Sequence, residues 1–280
     1  MKKLSLIIVS SVLTLLPCLG QSSVNYLQYY LTLVSRVGVD GVGVETLLDK
    51  WYASDSTDVN QMVARFNYFY KKNSRDSVVV KESRTYLGQE PILSLKDSTG
   101  RVMNYFNETV FDDQMFGKCL TAIDGAIALK DTRIDLREQK VDALINYEKE
   151  NPDMTLECLK SLIDYNFTAK PKWVDLEGNE EAADYFDQSI QNYCFALSKI
   201  ASPSSYEAFR IISEKMLKYE PQNVNFIDNM GAYAVLVKKN DKQALKMFKK
   251  ALKIKPDDST ALQNVRLIEK RMALKKSSKK

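Results

Sequence analysis

Apolar residues recur along most of this chain at the three- and four-residue spacing of an amphipathic helix. The clearest stretch is DKQALKMFKKALKIKPDD, residues 241–258, where lysines fill most of the gaps between the apolar positions Ala244, Leu245, Met247, Phe248, Ala251, Leu252 and Ile254. A helix of about four turns cannot bury such a stripe alone in water. The pattern therefore predicts that this helix packs against neighbouring helices.

The same spacing predicts a series of helices with short breaks between them. They span residues 22–36, 44–53, 59–72, 112–129, 133–149, 154–167, 182–200, 205–219, 224–239, 242–255 and 259–275. Residues 77–106 differ, because β-branched and aromatic residues alternate there around a polar KDSTGR turn, which predicts a β-hairpin or small sheet. The chain has only 10 Gly and 7 Pro, few for a sandwich or barrel with many turns. We therefore expect an all-α fold with a small β-hairpin insertion.

Helix start signals support several of these boundaries. Asn151 stands before Pro152 and would cap the helix that follows, with proline at its first position. Ser204 and Glu207 have the spacing of a capping box. Asp258 is the expected cap of the last helix.

A repeat of about 35 residues links the last helix pairs. The segments SEKMLKYEPQN and FKKALKIKPDD align without a gap. Each contains a proline, Pro221 or Pro256, at the end of a predicted helix pair. Such periods are typical of helical repeat proteins, in which stacked hairpins bury a continuous core and the terminal unit needs a cap. Residues 258–280 are the expected C-terminal capping helix and basic tail.

Residues 225–258 resemble a tetratricopeptide repeat, a helix-turn-helix unit of about 34 residues. Small or aromatic residues stand at the spacing of this family: Gly231, Ala244, Phe248, Ala251 and Pro256. The usual Trp, Leu and Tyr of the first helix are replaced by Ile227, Met230 and Ala234, and one extra residue falls in the VKKND turn. Residues 184–221 resemble a more degenerate unit of the same kind.

The resemblance implies a solenoid of four or five helical hairpins. The N-terminal helices would lie in residues 21–73, the β-rich insertion in 74–110 and the main repeats in 111–257. In this family the first helices line a concave groove that holds peptides, so the resemblance implies a non-catalytic scaffold that binds a protein or peptide. No cofactor, metal or nucleic acid is expected.

Two first helices carry amide pairs one turn apart. Gln188 and Asn192 form one pair, and Asn225 and Asn229 form the other. Amides suit an extended peptide because they both donate and accept hydrogen bonds. These four residues are the candidate binding site, although solvated polar residues on an amphipathic helix would produce the same pattern.

The first twenty residues resemble an export signal, with Lys2 and Lys3 before an apolar stretch and small residues near Gly20. Cleavage is expected after about Gly20. Pro17 before Cys18 favours a soluble exported protein over one anchored by a lipid at Cys18. The layout as a whole resembles exported tetratricopeptide-repeat proteins of Gram-negative bacteria, which implies a periplasmic or cell-envelope location.

Charge is uneven along the chain. Residues 238–280 hold fifteen Lys or Arg against four Asp or Glu, whereas the whole chain has a net charge of only +4. A solvated last helix explains this excess. Contact of the basic C-terminus with an anionic surface is the alternative.

Composition excludes some functions and leaves others open. The chain has no histidine, which excludes Ser-His-Asp and Cys-His catalysis. Cys119, Cys158 and Cys194 lie in apolar helical runs, which favours buried thiols over a disulfide. Two alternatives to a scaffold remain: a hydrolase that uses a carboxylate pair, and a glycan-binding protein, which would expose Trp51 and Trp173 on one patch.

Overall fold

The structure is a computed structural model that describes residues 24–176, 178 and 185–277. The expected signal, residues 1–20, and the start of the helix predicted for 182–200 lie outside the described residues. The described elements, in chain order, are α1 (Tyr26–Val37), α2 (Val44–Ser54), α3 (Val59–Asn73), β1 (Ser74–Lys81), β2 (Leu93–Lys96), β3 (Val102–Phe111), α4 (Asp113–Leu129), α5 (Ile134–Glu148), α6 (Asp153–Ala169), α7 (Phe186–Ile200), α8 (Pro203–Tyr219), α9 (Val224–Leu236), α10 (Asp241–Ile254) and α11 (Ser259–Ser277).

Helices pack in sequential pairs, so the expected stack of helical hairpins is confirmed. The pairs are α1–α2, α3–α4, α5–α6, α7–α8 and α9–α10, and α11 packs on α10 as a single last helix. Contacts of α2 with α3, α4 with α5 and α8 with α9 join one hairpin to the next. We call α1, α3, α5, α7 and α9 the first helices and their partners the second helices. Among the described helices, none combines the length and apolar character needed to cross a membrane.

The expected β-insertion is a three-stranded antiparallel sheet placed inside the second hairpin, between α3 and α4. Its strand order is β1-β3-β2, and the first pair of the ladder joins Ser74 to Phe111. Entry and exit of the insertion therefore lie side by side. The backbone N–H of Asp112 also donates to Oδ1 of Asn73 at 2.5 Å, which holds the ends of α3 and β3 together.

The sheet contacts two further hairpins as well as its own. Nζ of Lys149, just after α5, forms an ion pair with Glu108 of β3 at 2.6 Å. Gly88, in the loop before β2, packs against the backbone carbonyl of Lys199 at the end of α7. Gly88 has a positive φ of 71°, and a side chain there would collide with that carbonyl. The insertion thus touches the C-terminal ends of α3, α5 and α7.

Most of the N-terminal aromatic residues are core residues. Tyr30, Phe66, Tyr68 and Phe69 are buried, whereas Tyr29 is exposed. The ring of Tyr70 lies 5.4 Å from that of Phe111, the last residue of β3. The aromatic face of α3 is therefore covered in part by the inserted sheet.

Two predicted helix starts are wrong in detail. The cap of α8 is Ser202, not Ser204, and it exchanges hydrogen bonds with Ser205 while Pro203 occupies the first turn. Asn151 does not cap α6. A carboxylate from the preceding helix, Glu148, accepts from the backbone N–H of Thr155 at 2.7 Å. Short turns allow one helix to cap the next, and spacing alone does not reveal this.

The hairpin α9–α10 has the close helix contact that the repeat pattern implies. A Cβ atom built on Gly231 would lie 2.7 Å from the Phe248 ring, and Phe248 is itself fully buried. The extra residue in the turn is accommodated where Lys239 adopts a left-handed φ of 49°. Glycine is therefore required at position 231 by the space that the ring occupies.

The last helix caps the stack, and its start contains a pair of carboxyl groups. Asp258 accepts from the backbone N–H of Ala261 at 2.9 Å, which confirms it as the cap of α11. Asp258 also lies beside Asp228 of α9, and burial together with this neighbour raises the pKa of Asp228 to about 7. Leu274, near the end of α11, lies on the exposed side of the helix.

We predict that Gly231→Ala destabilises the protein. Alanine favours a helix over glycine by about 1 kcal/mol, but overpacking against Phe248 costs about 1–3 kcal/mol, so a net loss is expected. Urea denaturation followed by circular dichroism measures it. The matched control is Gly117→Ala in α4, where a Cβ atom meets nothing within 4 Å. The control should be neutral or stabilising, and equal effects of the two changes would contradict the packing argument.

We also predict that ionisation of Asp228 lowers stability. Its carboxyl group has a pKa of about 7 in the folded protein against about 3.9 in an unfolded chain, so the folded state binds more protons in between. The free energy of unfolding should therefore fall as pH rises from about 4 to about 7. In Asp228→Asn this fall should be smaller, as measured by urea denaturation at a series of pH values. Asp257→Asn, an exposed change in the same turn, should leave the pH dependence as it is.

Candidate functional site

Three first helices, α5, α7 and α9, are joined side by side by polar side chains. Between α5 and α7, the hydroxyl group of Ser189 donates to the carboxylate of Glu138, and the hydroxyl group of Tyr193 donates to the Glu138 carbonyl at 3.2 Å. Ser189 and Tyr193 stand one turn apart on α7. They form the seam that fixes α7 against α5.

A second seam joins α7 to α9. The amide groups of Gln191 and Asn229 exchange two hydrogen bonds, of 3.0 and 2.8 Å, and Asn229 also donates to Ser213 of α8 at 3.1 Å. Closer to the helix starts, Asn223 donates to Asp187 at 2.8 Å. Asn229 is only 7% exposed, and its hydrogen-bonding capacity is used inside the protein.

A stripe of exposed side chains on α7 lies between these two seams. Gln188, Asn192, Phe195 and Lys199 follow at intervals of four, three and four residues, and all four are exposed. The Gln188 amide donates to Oδ1 of Asn192 at 3.0 Å. Phe195 is 58% exposed, and Nζ of Lys199 lies 4.6 Å from the centre of its ring. We call these four residues the α7 stripe.

The structure separates the four residues that the sequence indicated. Gln188 and Asn192 lie together on the α7 stripe, and Asn225 is exposed on the neighbouring helix α9. Asn229 does not share the exposed face of Asn225, because its side chain is directed into the seam with Gln191 and Ser213. A partner could reach the first three without any rearrangement, whereas Asn229 holds the helices in place.

Carboxyl groups accumulate along the same seams. Burial is the main cause that raises the pKa of Glu138, and desolvation by surrounding atoms raises that of Asp142, one turn later on α5, to about 6. Desolvation and the nearby Glu220 likewise raise the pKa of Asp187 to about 6. Each group is more easily neutralised than an ordinary surface carboxylate. The negative charge beside the α7 stripe therefore depends on pH near neutrality.

The glycan-binding alternative, as based on two exposed indoles, is wrong. Trp51 is 3% exposed and Trp173 is 1% exposed. Each indole N–H donates to a nearby side chain, Asp58 at 2.9 Å or Asn166 at 2.8 Å. Both rings therefore belong to the core, where large aromatic side chains contribute much of the buried apolar area.

Cysteines and metal-ligand types form no reactive centre among the described residues. Cys119 and Cys194 are buried free thiols and Cys158 is a partly buried one, as the apolar runs predicted. Burial raises the pKa of Cys194 to about 12, so it remains a thiol at neutral pH. Within the described ranges, no three acidic or cysteine side chains are placed to hold a metal ion.

The predicted site included the amides of the α7 stripe but not its exposed aromatic ring, Phe195. Phe195 lies seven residues after Gln188, and this spacing places an aromatic ring on a polar helix face. The signal was present in the text DQSIQNYCFALSKI, but Tyr193 and Cys194 next to it belong to the buried face and obscure it. The pairing of Gln191 with Asn229 has no such signal, since it joins residues 38 positions apart.

We predict opposite behaviour for the two asparagines of α9. Asn229→Ala leaves the Gln191 amide without its partner and should lower the free energy of unfolding by about 1–3 kcal/mol. Asn225→Ala removes an exposed amide from the same helix and should change it by less than about 0.5 kcal/mol. Thermal and urea denaturation of the two variants provide the comparison. A neutral Asn229→Ala would show that the seam does not stabilise the stack.

Comparison with known proteins gives a weak structural likeness. No protein-family model matches the chain. No curated protein matches its sequence. A solved structure described as "YrrB: a TPR protein with an unusual peptide-binding site" is similar over 85% of this chain and 89% of that chain, with 15% sequence identity and a TM-score of 0.38. The helices of the chain itself show the fold. In the described residues they form a stack of five helical hairpins with a last helix and an inserted sheet.

Proposed function

We propose that this protein is a non-catalytic interaction scaffold that binds a peptide segment or a partner helix across the first helices α5, α7 and α9. The observation that carries the proposal is the α7 stripe, in which two amide side chains and an exposed phenylalanine lie in one line on a helix held from both sides. Asn225 on α9 and Asp142 on α5 extend this surface to the neighbouring helices.

The chemistry of the stripe suits an extended or helical polypeptide. The bond between Gln188 and Asn192 uses one amide hydrogen and one carbonyl oxygen, which leaves both donors and acceptors for the backbone of a guest. Phe195 offers an apolar ring of the type that anchors protein interfaces. Together they supply the polar contacts that orient a chain and one apolar contact that holds it.

The position of the stripe lowers the cost of binding. Ser189 and Tyr193 fix one side of α7, and Gln191 fixes the other, so the exposed side chains stand on a helix that is already in place. A preformed surface loses little conformational entropy when a partner binds. This is the general advantage of stacked helical hairpins as binding frameworks.

The carboxyl pairs favour a structural role over the hydrolase alternative. Asp187 and Glu220 both accept a hydrogen bond from the Asn223 amide at 2.8 Å, and Asp258 lies close enough to Asp228 to raise the pKa of its carboxyl group. Glycoside hydrolases keep their two carboxyl groups about 5–9.5 Å apart so that a substrate fits between them. Asp187 and Glu220 are joined by the amide of Asn223, which occupies the space that a substrate would need.

The proposed scaffold belongs to the cell envelope. The support is the N-terminal text, whose Lys2 and Lys3 precede an apolar segment and small residues before Gln21.

A peptide-selection experiment tests the proposed surface. A displayed library of random peptides is selected on the purified protein, and the affinity of enriched peptides is measured by fluorescence anisotropy. We expect Phe195→Ala to weaken binding about tenfold or more, as for a buried interface anchor. Asn192→Ala should weaken it by a smaller factor, since its contribution is a polar contact at an exposed position.

The matched control is Met154→Ala, which removes an exposed apolar side chain from the second helix α6. Its affinity for the selected peptides should equal that of the natural protein. Peptides that bind all variants equally, or no enrichment at all, would refute the α7 stripe as the binding surface. Circular dichroism of each variant excludes unfolding as the cause.

A further inference from the structure

The outer face of α11 exposes two leucines among basic side chains. Leu267 is 57% exposed and Leu274, two turns later, is 61% exposed. The two leucines belong to a shallow hollow whose lining is Leu267, Lys270, Arg271, Leu274, Lys275 and Ser277. Terminal units of helical stacks normally present a polar outer face, so two uncovered leucines here need an explanation.

Basic residues dominate the last hairpin and α11. The exposed side of α10 carries Lys242, Lys246, Lys249, Lys250 and Lys253. On α11, Arg271 and Lys275 share one carboxylate, Asp241, so the hollow keeps an excess of positive charge. Residues 238–280 as a whole have fifteen basic side chains against four acidic ones. In the described part of the chain, the lining of the hollow itself contains three cations, Lys270, Arg271 and Lys275, and no carboxylate.

The opposite face of α11 keeps the helix fixed. Ala261 and Ile268 are buried in a core that includes Phe248 of α10. The leucines and the cations are consequently held on one side of a folded helix, without any need for the helix to form on binding. This arrangement has the features of a helix that lies in the plane of a membrane interface, with apolar side chains between basic ones.

From this arrangement we infer that the outer face of α11 docks on a lipid bilayer that contains anionic phospholipids. The cations contact the headgroup phosphates, and Leu267 and Leu274 enter the boundary between headgroups and acyl chains. The basic side chains complement the charge of the anionic headgroups, and the apolar leucines lie at the centre of the basic surface. A solvated helix face explains the lysines, but it does not explain two leucines exposed among them.

The proposed contact is peripheral, because α11 lies along the bilayer surface and only Leu267 and Leu274 enter it. Its strength should depend on both parts of the surface. Each basic side chain near an anionic membrane strengthens binding about fivefold, and the effect is screened by salt. Two partly inserted leucines add roughly tenfold more. The site is separate from the α7 stripe, so a bound peptide and a bound membrane do not compete.

The experiment is sedimentation of the purified protein with vesicles of phosphatidylcholine, alone or mixed with phosphatidylglycerol. We expect binding to the mixed vesicles only, and weaker binding as salt is raised. Lys270→Glu should weaken it about fivefold or more. The double change Leu267→Ser with Leu274→Ser should weaken it roughly tenfold.

Two controls match these variants. Lys218→Glu makes the same change of net charge on an exposed site of α8, and Leu129→Ser removes an exposed leucine at the end of α4. Both should bind the mixed vesicles as the natural protein does. Equal loss in Lys218→Glu and Lys270→Glu would reduce the effect to net charge and overturn the proposal.

Other occupants of this face would give different results. Equal binding to both kinds of vesicle, or to neither, overturns the proposal. Displacement from vesicles by polyglutamate, with no effect of the leucine changes, would identify an acidic macromolecule as the ligand instead. A concentration-dependent dimer that the leucine changes abolish, without vesicle binding, would assign the face to a second copy of the chain.

Discussion

The helices of this protein carry more apolar surface than a single neighbour can cover, and this constraint determines the arrangement of the chain. Each helix must be covered on two sides, by its partner in the hairpin and by a helix of the next hairpin. Stacking satisfies both requirements at once. It also explains why close contacts such as that of Gly231 with Phe248 occur within a hairpin, where two helices meet along most of their length. The buried side chains form three clusters along the stack, and the partly buried Cys158 and Leu217 connect each cluster to the next.

Polar contacts perform a second task, which is to fix the relative position of successive hairpins. Apolar surfaces alone would allow neighbouring helices to slide, whereas hydrogen bonds have defined partners. The pairs Gln191–Asn229 and Ser189–Glu138 each join consecutive first helices. Asp228 and Asp258 join the last hairpin to α11. The first two contacts are partly buried and hydrogen-bonded, whereas Oδ1 of Asp228 is buried without a hydrogen-bond partner.

The sequence was sufficient for the fold and for the existence of a sheet between α3 and α4. Periodicity of apolar residues is local information, and helix boundaries such as 44–54 and 59–73 were predicted to within one residue. What failed depends on contacts between distant residues. Asn229 and Asn225 have the same spacing as Gln188 and Asn192, but only α9 has a neighbour, Gln191, that takes one amide of the pair into a seam.

The caps show the same distinction on a smaller scale. Asp258 was predicted because its side chain serves the helix that starts one residue later. Glu148 could not be predicted as the cap of α6, because it lies on the preceding helix and reaches the start of the next one only after the turn between them has formed. Local chemistry is readable in a sequence when the partners are neighbours. Contacts between residues far apart in sequence can be identified only once the fold is known.

The inserted sheet has a mechanical consequence. Solenoids of helical hairpins deform easily along their length. Each unit contacts only the units beside it, so small rotations between units add along the stack. Here the ion pair between Glu108 and Lys149 and the contact of Gly88 with Lys199 connect one rigid sheet to the ends of three consecutive first helices. A brace of this kind resists stretching and twisting over those hairpins, while α9 to α11 lie beyond it. Elastic deformation of the protein should consequently be concentrated in α9 to α11 and in the first hairpin, α1–α2, which the sheet does not brace.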